Sequence, residues 1–222
     1  MVIFALMSLL EIYLVMYLPD AIKRMDYYLF SKMNGQWHTP FFDTFIPFIR
    51  EPFVWVPFYF FLVLFAVINF KWRGWLWVLF FLFNVMLSDY VSSTLIKDNF
   101  LRLRPCHDPA LAQSVRFLVS YCPTSSSFTS SHAANHFAAA MFIFTTYKKA
   151  VSPQWAYLFL WAFAISYAQV YVGVHFPFDI FCGAIVGLIL GYIPAKIYNT
   201  KIGLALPNWK IYVWLNWLFC FF

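Results

Sequence analysis

Apolar residues run through this chain in blocks too long and too unbroken for the alternation of a half-buried strand, and each block stops at a basic turn or a polar loop. The run from Val54 to Phe70 ends at Lys71-Trp72-Arg73-Gly74, and Trp75 to about Ile96 is the next one. About 20 apolar residues suffice to cross a bilayer as a helix, so both are predicted spans. Residues 97–128 are polar and punctuated by proline, which predicts a long loop outside the lipid, and loops of that length usually carry function. Further helices are predicted from about Thr129 to Tyr147, stopping at Lys148-Lys149, from about Gln154 to Tyr171, and from Asp179 to about Ala195. Upstream, residues 1–20 are apolar apart from Glu11 and Asp20 and read as a first spanning helix or one lying in the interface, with spanning favoured. Residues 21–52 mix Lys23, Arg24, Asp26, Lys32, Asn34-Gly35, Asp43 and Arg50 with aromatics, the pattern of an interfacial helix, a turn and a second short helix. The tail from Pro207, with Trp209, Trp214 and Trp217, is too short to span and reads as an interfacial anchor.

With 63% of 222 residues hydrophobic and 11% charged, a soluble globule is excluded. The predicted fold is all-α: a polytopic transmembrane helical bundle of five or six spans, forming one domain over residues 1–222. Its motif-bearing core is about 54–195, preceded by an N-terminal helix and interfacial segment over 1–53 and followed by the tail at 207–222. Nothing at the N-terminus reads as a cleaved signal peptide. The basic turns at Lys71/Arg73, Lys148/Lys149 and Lys196/Lys201 fall on one side and the polar loops on the other, which places the turns in the cytoplasm and the loops outside. Lys23, Arg24, Lys32 and Arg50 break that rule. The net charge of +6 suits an anionic membrane surface or anionic substrates, and also follows from topology alone. Cys182 and Cys220 lie in apolar surroundings, whereas Cys106 and Cys122 share the long loop, as a disulfide in an oxidising compartment or as two free thiols.

Three polar clusters fall on the same predicted side: Lys97 with Arg104-Pro105, Thr129-Ser130-Ser131-His132, and His175 with Asp179. Taken singly they read as headgroup anchors, a helix cap and a satisfied histidine. Together, at the costly ends of membrane helices, they read as one polar site. Two cations with hydroxyl or backbone donors at a helix start form an anion cradle for phosphate oxygens. The two histidines then divide the work, one neutral to attack phosphorus and one protonated to serve the leaving oxygen. Asp179, placed to cap the next helix, can also hold one nitrogen of the His175 ring, which favours His175 as nucleophile and leaves His132 as the acid. His132 and His136 share a helix face as metal ligands would, but no third ligand accompanies them at useful spacing. Asp89 is placed either to pair with a motif cation or to bond between helices, and Arg102 is either a substitute cation or a surface residue.

Lys97, six residues, then Arg104-Pro105; Ser130-Ser131-His132; and Tyr171-Val-Gly173-Val-His175 with Asp179 closely resemble the three signature motifs of the type 2 phosphatidic acid phosphatase (PAP2) superfamily. The resemblance implies a lipid phosphatase that needs no metal or other cofactor and works through a phosphohistidine, in a helical bundle whose site opens at the extracytoplasmic face of the bacterial inner membrane. It implies His175, His132 and Asp179 as catalytic residues, and Lys97, Arg104, Ser130, Ser131 and Gln169 as those that meet phosphate. The partners implied are a phosphorylated lipid (undecaprenyl pyrophosphate, phosphatidylglycerol phosphate, phosphatidic acid or lipid A) and membrane lipids, with no nucleic acid. Two departures stand out. Ser131 replaces a glycine, and Ala168-Gln169 replaces the Ser-Arg that usually opens the third motif, removing one phosphate-binding cation. A lipid-phosphate binder or transporter, or a lipid phosphotransferase, is the alternative.

Overall fold

A computed structural model describes residues 18–204, so most of the expected first helix and the whole interfacial tail lie outside the described residues. The described residues are helical, with no strand among them. Helix α1 (Asp20–Phe30) passes through a π-helical turn at Ser31–Gln36, and α2 (Pro40–Arg50) follows, its first turn capped by the Thr39 hydroxyl accepting from the Phe42 amide at 3.2 Å. These are the helix, turn and second short helix expected over residues 21–52.

The next helix, α3 (Val56–Tyr90), turns back at Lys71, where φ is 53° and ψ −126°, and the two predicted apolar runs become its two arms. The arms pack so closely that a methyl group on Gly74 would lie 2.0 Å from the Ala66 carbonyl oxygen. A π-helical turn at Val91–Ile96 leads into the long loop, which contains only a short 3-10 turn at Pro105–His107. Cys106 and Cys122 are joined there as a disulfide, and Cys182 is free. Helices α4 (Ser131–Ala150), α5 (Leu158–Tyr171) and α6 (Pro177–Lys201) complete the bundle. The last outruns its predicted end at Ala195, passing Pro194 and carrying polar Asn199 onto α4, where its side chain donates to the Thr145 carbonyl at 2.9 Å. That contact gives the helix a polar partner beyond its apolar run.

Among the described residues, two elements, Pro52–Ile96 and Pro177–Lys201, are long and apolar enough to cross a membrane, the first of them folded back on itself. Only 22% and 28% of their most apolar windows are buried, and side chains such as Phe60, Ile68, Met86 and Phe181 face outward. So much exposed apolar surface is stable only against lipid. Inside, Trp77 stacks between Phe81 and Tyr147 and donates its indole N–H to Thr146 at 2.8 Å. The closest helix contact is α4 on α6. Methyl groups on Gly183, Gly187 and Gly191 would meet the carbonyl oxygens of Ser130, Ala134 and Ala138 at 2.6, 2.2 and 2.4 Å. Small residues at this spacing let backbones touch, and they press the start of α4 against the start of α6.

Candidate active site

Pressing those helix starts together brings the second and third clusters into contact, with the Ser130 amide donating to the Asp179 carbonyl at 3.2 Å. His175 lies in the tight α5–α6 connection, and its amide and that of Val174 both donate to the Gln169 carbonyl. Gly173 makes this turn with φ 86°, where a methyl group would also strike the Arg116 carbonyl at 2.7 Å. Asp179 sits in the first turn of α6 with no exposed surface and accepts the Phe176 amide at 2.9 Å, so it caps the helix as expected.

Its bond to His175 is less direct than expected. The Asp179 Oδ2 to His175 Nδ1 distance is 3.6 Å, too long for a full hydrogen bond, and the Ser127 hydroxyl stands beside both groups. Ser127 donates to Asp179 Oδ2 at 2.5 Å and lies 3.4 Å from His175 Nδ1, where its oxygen can accept the ring N–H. That assigns the proton to Nδ1 and leaves the lone pair on Nε2. Arg104 Nη1 faces Nε2 at 3.1 Å and also donates to the Val174 carbonyl, while Nε and Nη2 hold Ser125 and Ser126. Burial, reinforced by the Arg104 charge and opposed by Asp179, brings the His175 pKa down to about 4, so the ring is neutral at pH 7. Burial lowers Arg104 to about 10, and burial with Arg104 nearby lowers Lys97 to about 8.

Arg102 proves to be neither a surface residue nor a free cation. It lies behind His175, donating to Asp179 Oδ1 at 2.5 Å and to Asp26 of α1, with its plane 4.3 Å from the Phe176 ring centre. Asp26 in turn accepts the Phe178 amide at 2.8 Å.

The other side of the site is open. His132, in the first turn of α4, is half-buried at a cleft of about 540 Å³ that Arg50, Glu51 and Tyr121 also line. Ser130 caps α4 by accepting the Ala133 amide, whereas the hydroxyl of Ser131 is buried without a hydrogen-bond partner. Gln169 is fully buried in α5, its Oε1 accepting from Arg50 Nε at 3.0 Å and its Nε2 unpartnered. Lys97 is half-buried at the end of the Val91–Ile96 turn. Asp89 accepts a bond from Asn135 at 2.9 Å, the interhelical role. His136 turns its Nδ1 to the His132 carbonyl at 2.8 Å and packs its ring edge-on to Trp161.

The sequence model of the PAP2 superfamily matches residues 77–202. The chain belongs to the PAP2 superfamily. It is 31% identical over 178 residues to the lipid A 4'-phosphatase of Bacteroides thetaiotaomicron, covering 78% of this chain and 77% of that one. To the lipid A 4'-phosphatase of Porphyromonas gingivalis it is 30% identical over 180 residues, or 81% and 75% of the two chains. Its fold is similar to the crystal structure of Aquifex aeolicus LpxE, with a TM-score of 0.57 and 30% identity over 76% of this chain and 93% of the other. The protein is thus an enzyme of the PAP2 type, a membrane phosphatase of a class that works without a metal ion.

Against this PAP2 frame, all eight residues expected from sequence line or adjoin one region, and three more join them. Ser127 sits in a serine-rich stretch where nothing marks one hydroxyl from the next. Asp26 and Arg50 precede the matched PAP2 region, and only the fold brings them to it. Arg50 had a signal in sequence, as one of the four basic residues over 21–50 that the topology rule left unexplained, and Asp26 had none.

Proposed function

We propose that this protein removes a phosphate monoester from the headgroup of a membrane glycolipid of the lipid A type. Two relatives that match more than three quarters of its length at 30% identity or above are lipid A 4'-phosphatases, which supports this choice of substrate. One observation carries the chemistry: the two nitrogens of a buried, neutral His175 face opposite partners, Ser127 with Asp179 on one side and Arg104 on the other. An imidazole held in this way has one basic nitrogen, and that nitrogen points at a phosphate-binding cation.

His175 Nε2 attacks phosphorus, forming a P–N bond as the P–O bond to the sugar breaks, and His132 gives its proton to the departing oxygen. Water then attacks phosphorus, passing a proton back to His132, and the P–N bond breaks to release inorganic phosphate and the free ring. Lys97, Arg104 and the Ser131 hydroxyl meet the phosphoryl oxygens, with Ser130 holding the helix start that presents them. Phosphoryl transfer gains chiefly from such positioning and charge. The whole chain acts as one unit in a bacterial plasma membrane with its site on the extracytoplasmic face, where the Cys106–Cys122 bridge is stable.

The test is phosphate release by purified protein in detergent from lipid A, phosphatidylglycerol phosphate, phosphatidic acid and undecaprenyl pyrophosphate. Lipid A should be hydrolysed fastest, and His175→Ala should lower the rate at least about 10⁴-fold. A His175→Ala rate near the parent's would defeat the mechanism. Faster release from undecaprenyl pyrophosphate would move the substrate. Binding of lipid without release, or phosphate passed to a second lipid, would favour the transporter or phosphotransferase.

A further inference from the structure

The third PAP2 motif lacks its cation at Gln169, yet the structure places a guanidinium there. Arg50, the last residue of α2, donates from Nε to Gln169 Oε1 at 3.0 Å across 119 residues of sequence. An arginine donor fixes the amide with its oxygen toward Arg50, and so leaves the buried Nε2 of Gln169 as a free donor. The terminal nitrogens of Arg50 make no hydrogen bond to a described residue, and their one ion pair, to Glu51, is loose at 3.6 Å. Arg50 is 13% exposed by side chain and lines the same cleft as His132. Its charge reaches both His132 and Arg104.

A mostly buried cation without a close anion is costly, and a site that keeps one is built for an anion that comes and goes. We propose that Arg50, held by Gln169, is the third cation of the phosphate cradle and contacts the phosphoryl group of the lipid substrate. The charge has moved from α5 to α2, and Gln169 has become its positioning residue. This rests on the phosphatase reading above. Arg50 uses Nε for its anchor and keeps two terminal nitrogens for two phosphoryl oxygens, the planar fork that a lysine cannot offer. Ser131 Oγ and Gln169 Nε2, both buried and unpartnered, supply further donors to the same group.

The experiment exchanges the charge between the two positions, using purified full-length protein, with phosphate release from lipid A and the affinity for orthovanadate as independent readouts. Arg50→Gln should lower kcat/KM about 100-fold or more and weaken orthovanadate binding about tenfold, the scale of losing one donor to a developing charge. Gln169→Arg alone should bring no gain, because it sets two guanidiniums against each other. The double variant Arg50→Gln with Gln169→Arg should recover at least tenfold over Arg50→Gln, which a merely structural contact would not do. Arg50→Lys keeps the charge without the fork and should lose about tenfold. It carries the test if Arg50→Gln does not elute as monodisperse protein with the parental melting temperature. Arg50→Gln or Arg50→Lys within twofold of the parent in both readouts, or a double variant no better than Arg50→Gln, would overturn the proposal. If the parent releases no more phosphate than His175→Ala from any lipid, the phosphatase reading fails instead, and orthovanadate affinity still decides the role of Arg50.

Discussion

The two walls of this site are built on opposite principles. On the His175 wall, the buried carboxylates are paired within the protein: Asp179 is bound by Arg102, Ser127 and the Phe176 amide, and Asp26 by Arg102 and the Phe178 amide. On the His132 wall, polar groups are left unfinished, with Ser131 Oγ and Gln169 Nε2 unpartnered and Arg50 only loosely paired. A nucleophile must be held in one tautomer and one direction whether or not substrate is present, so its neighbours satisfy each other. A cradle must exchange protein partners for phosphate oxygens, so its donors wait. Unsatisfied buried groups also occur elsewhere in the bundle, at Asn84, Ser88 and Tyr147, so what sets Ser131 and Gln169 apart is their place beside the cleft-lining His132 and Arg50.

Breaking the paired wall should have the larger effect. Arg102→Met leaves two almost fully buried carboxylates without their shared cation, and removing one member of such a group costs about 3–5 kcal/mol. A denaturant titration or thermal melt should show the loss directly, alongside reduced turnover. Stability equal to the parent's would mean that Arg102 does not tie α1 to α6. Ser127→Ala should be gentler, because it removes only the hydroxyl between His175 and Asp179. Hydrogen bonds to charged groups contribute about 1.5–3 kcal/mol, so kcat should fall roughly tenfold or more while KM holds. An unchanged kcat would show that Asp179 orients the ring unaided across 3.6 Å.

Much of the helical frame was legible because apolar runs and basic turns are local signals: the turn at Lys71, the short helices over 20–50 and the starts of α4 and α6 lie where the pattern puts them. The His175 loop and the Lys97, Arg104 and His132 clusters were legible by spacing, and the Cys106–Cys122 pair by sharing a loop. The remainder depends on contacts that spacing does not encode. Arg102 carries no mark of facing Asp179, 77 residues away, rather than phosphate. Gln169 alone reads as a lost charge, and only the packing of α2 beside α5 shows the charge returned by Arg50. The length of α6 was misjudged for a related reason, since Lys196 reads as the basic end of an apolar run until α4 is placed beside Asn199.

The mildest prediction sharpens the contrast through pH. Lys97 is one of the proposed cradle cations, and burial with the Arg104 charge lowers its pKa to about 8. A lysine is charged below its pKa, so the cradle is complete at pH 7 and loses this cation as pH rises through 8. A phosphate monoester has its second pKa near 6, so the substrate is already dianionic across that window and does not titrate in it. The pH dependence of kcat/KM reports the free enzyme and should fall towards tenfold per unit above pH 8. Arg104, lowered to about 10, would steepen the decline only beyond that point. His175, neutral above about 4, adds nothing on this side, and the titration of the proposed acid His132 is common to the parent and Lys97→Arg, so it cancels in the comparison of the two. Lys97→Arg replaces the titrating ammonium with a guanidinium that stays charged, so it should change activity little at pH 7 and remove the limb near 8. At pH 9 the variant should exceed the parent's fraction of its own pH 7 rate by roughly tenfold. A limb near 8 that persists in Lys97→Arg belongs to another group, and Lys97 would then stand outside the cradle as a headgroup anchor.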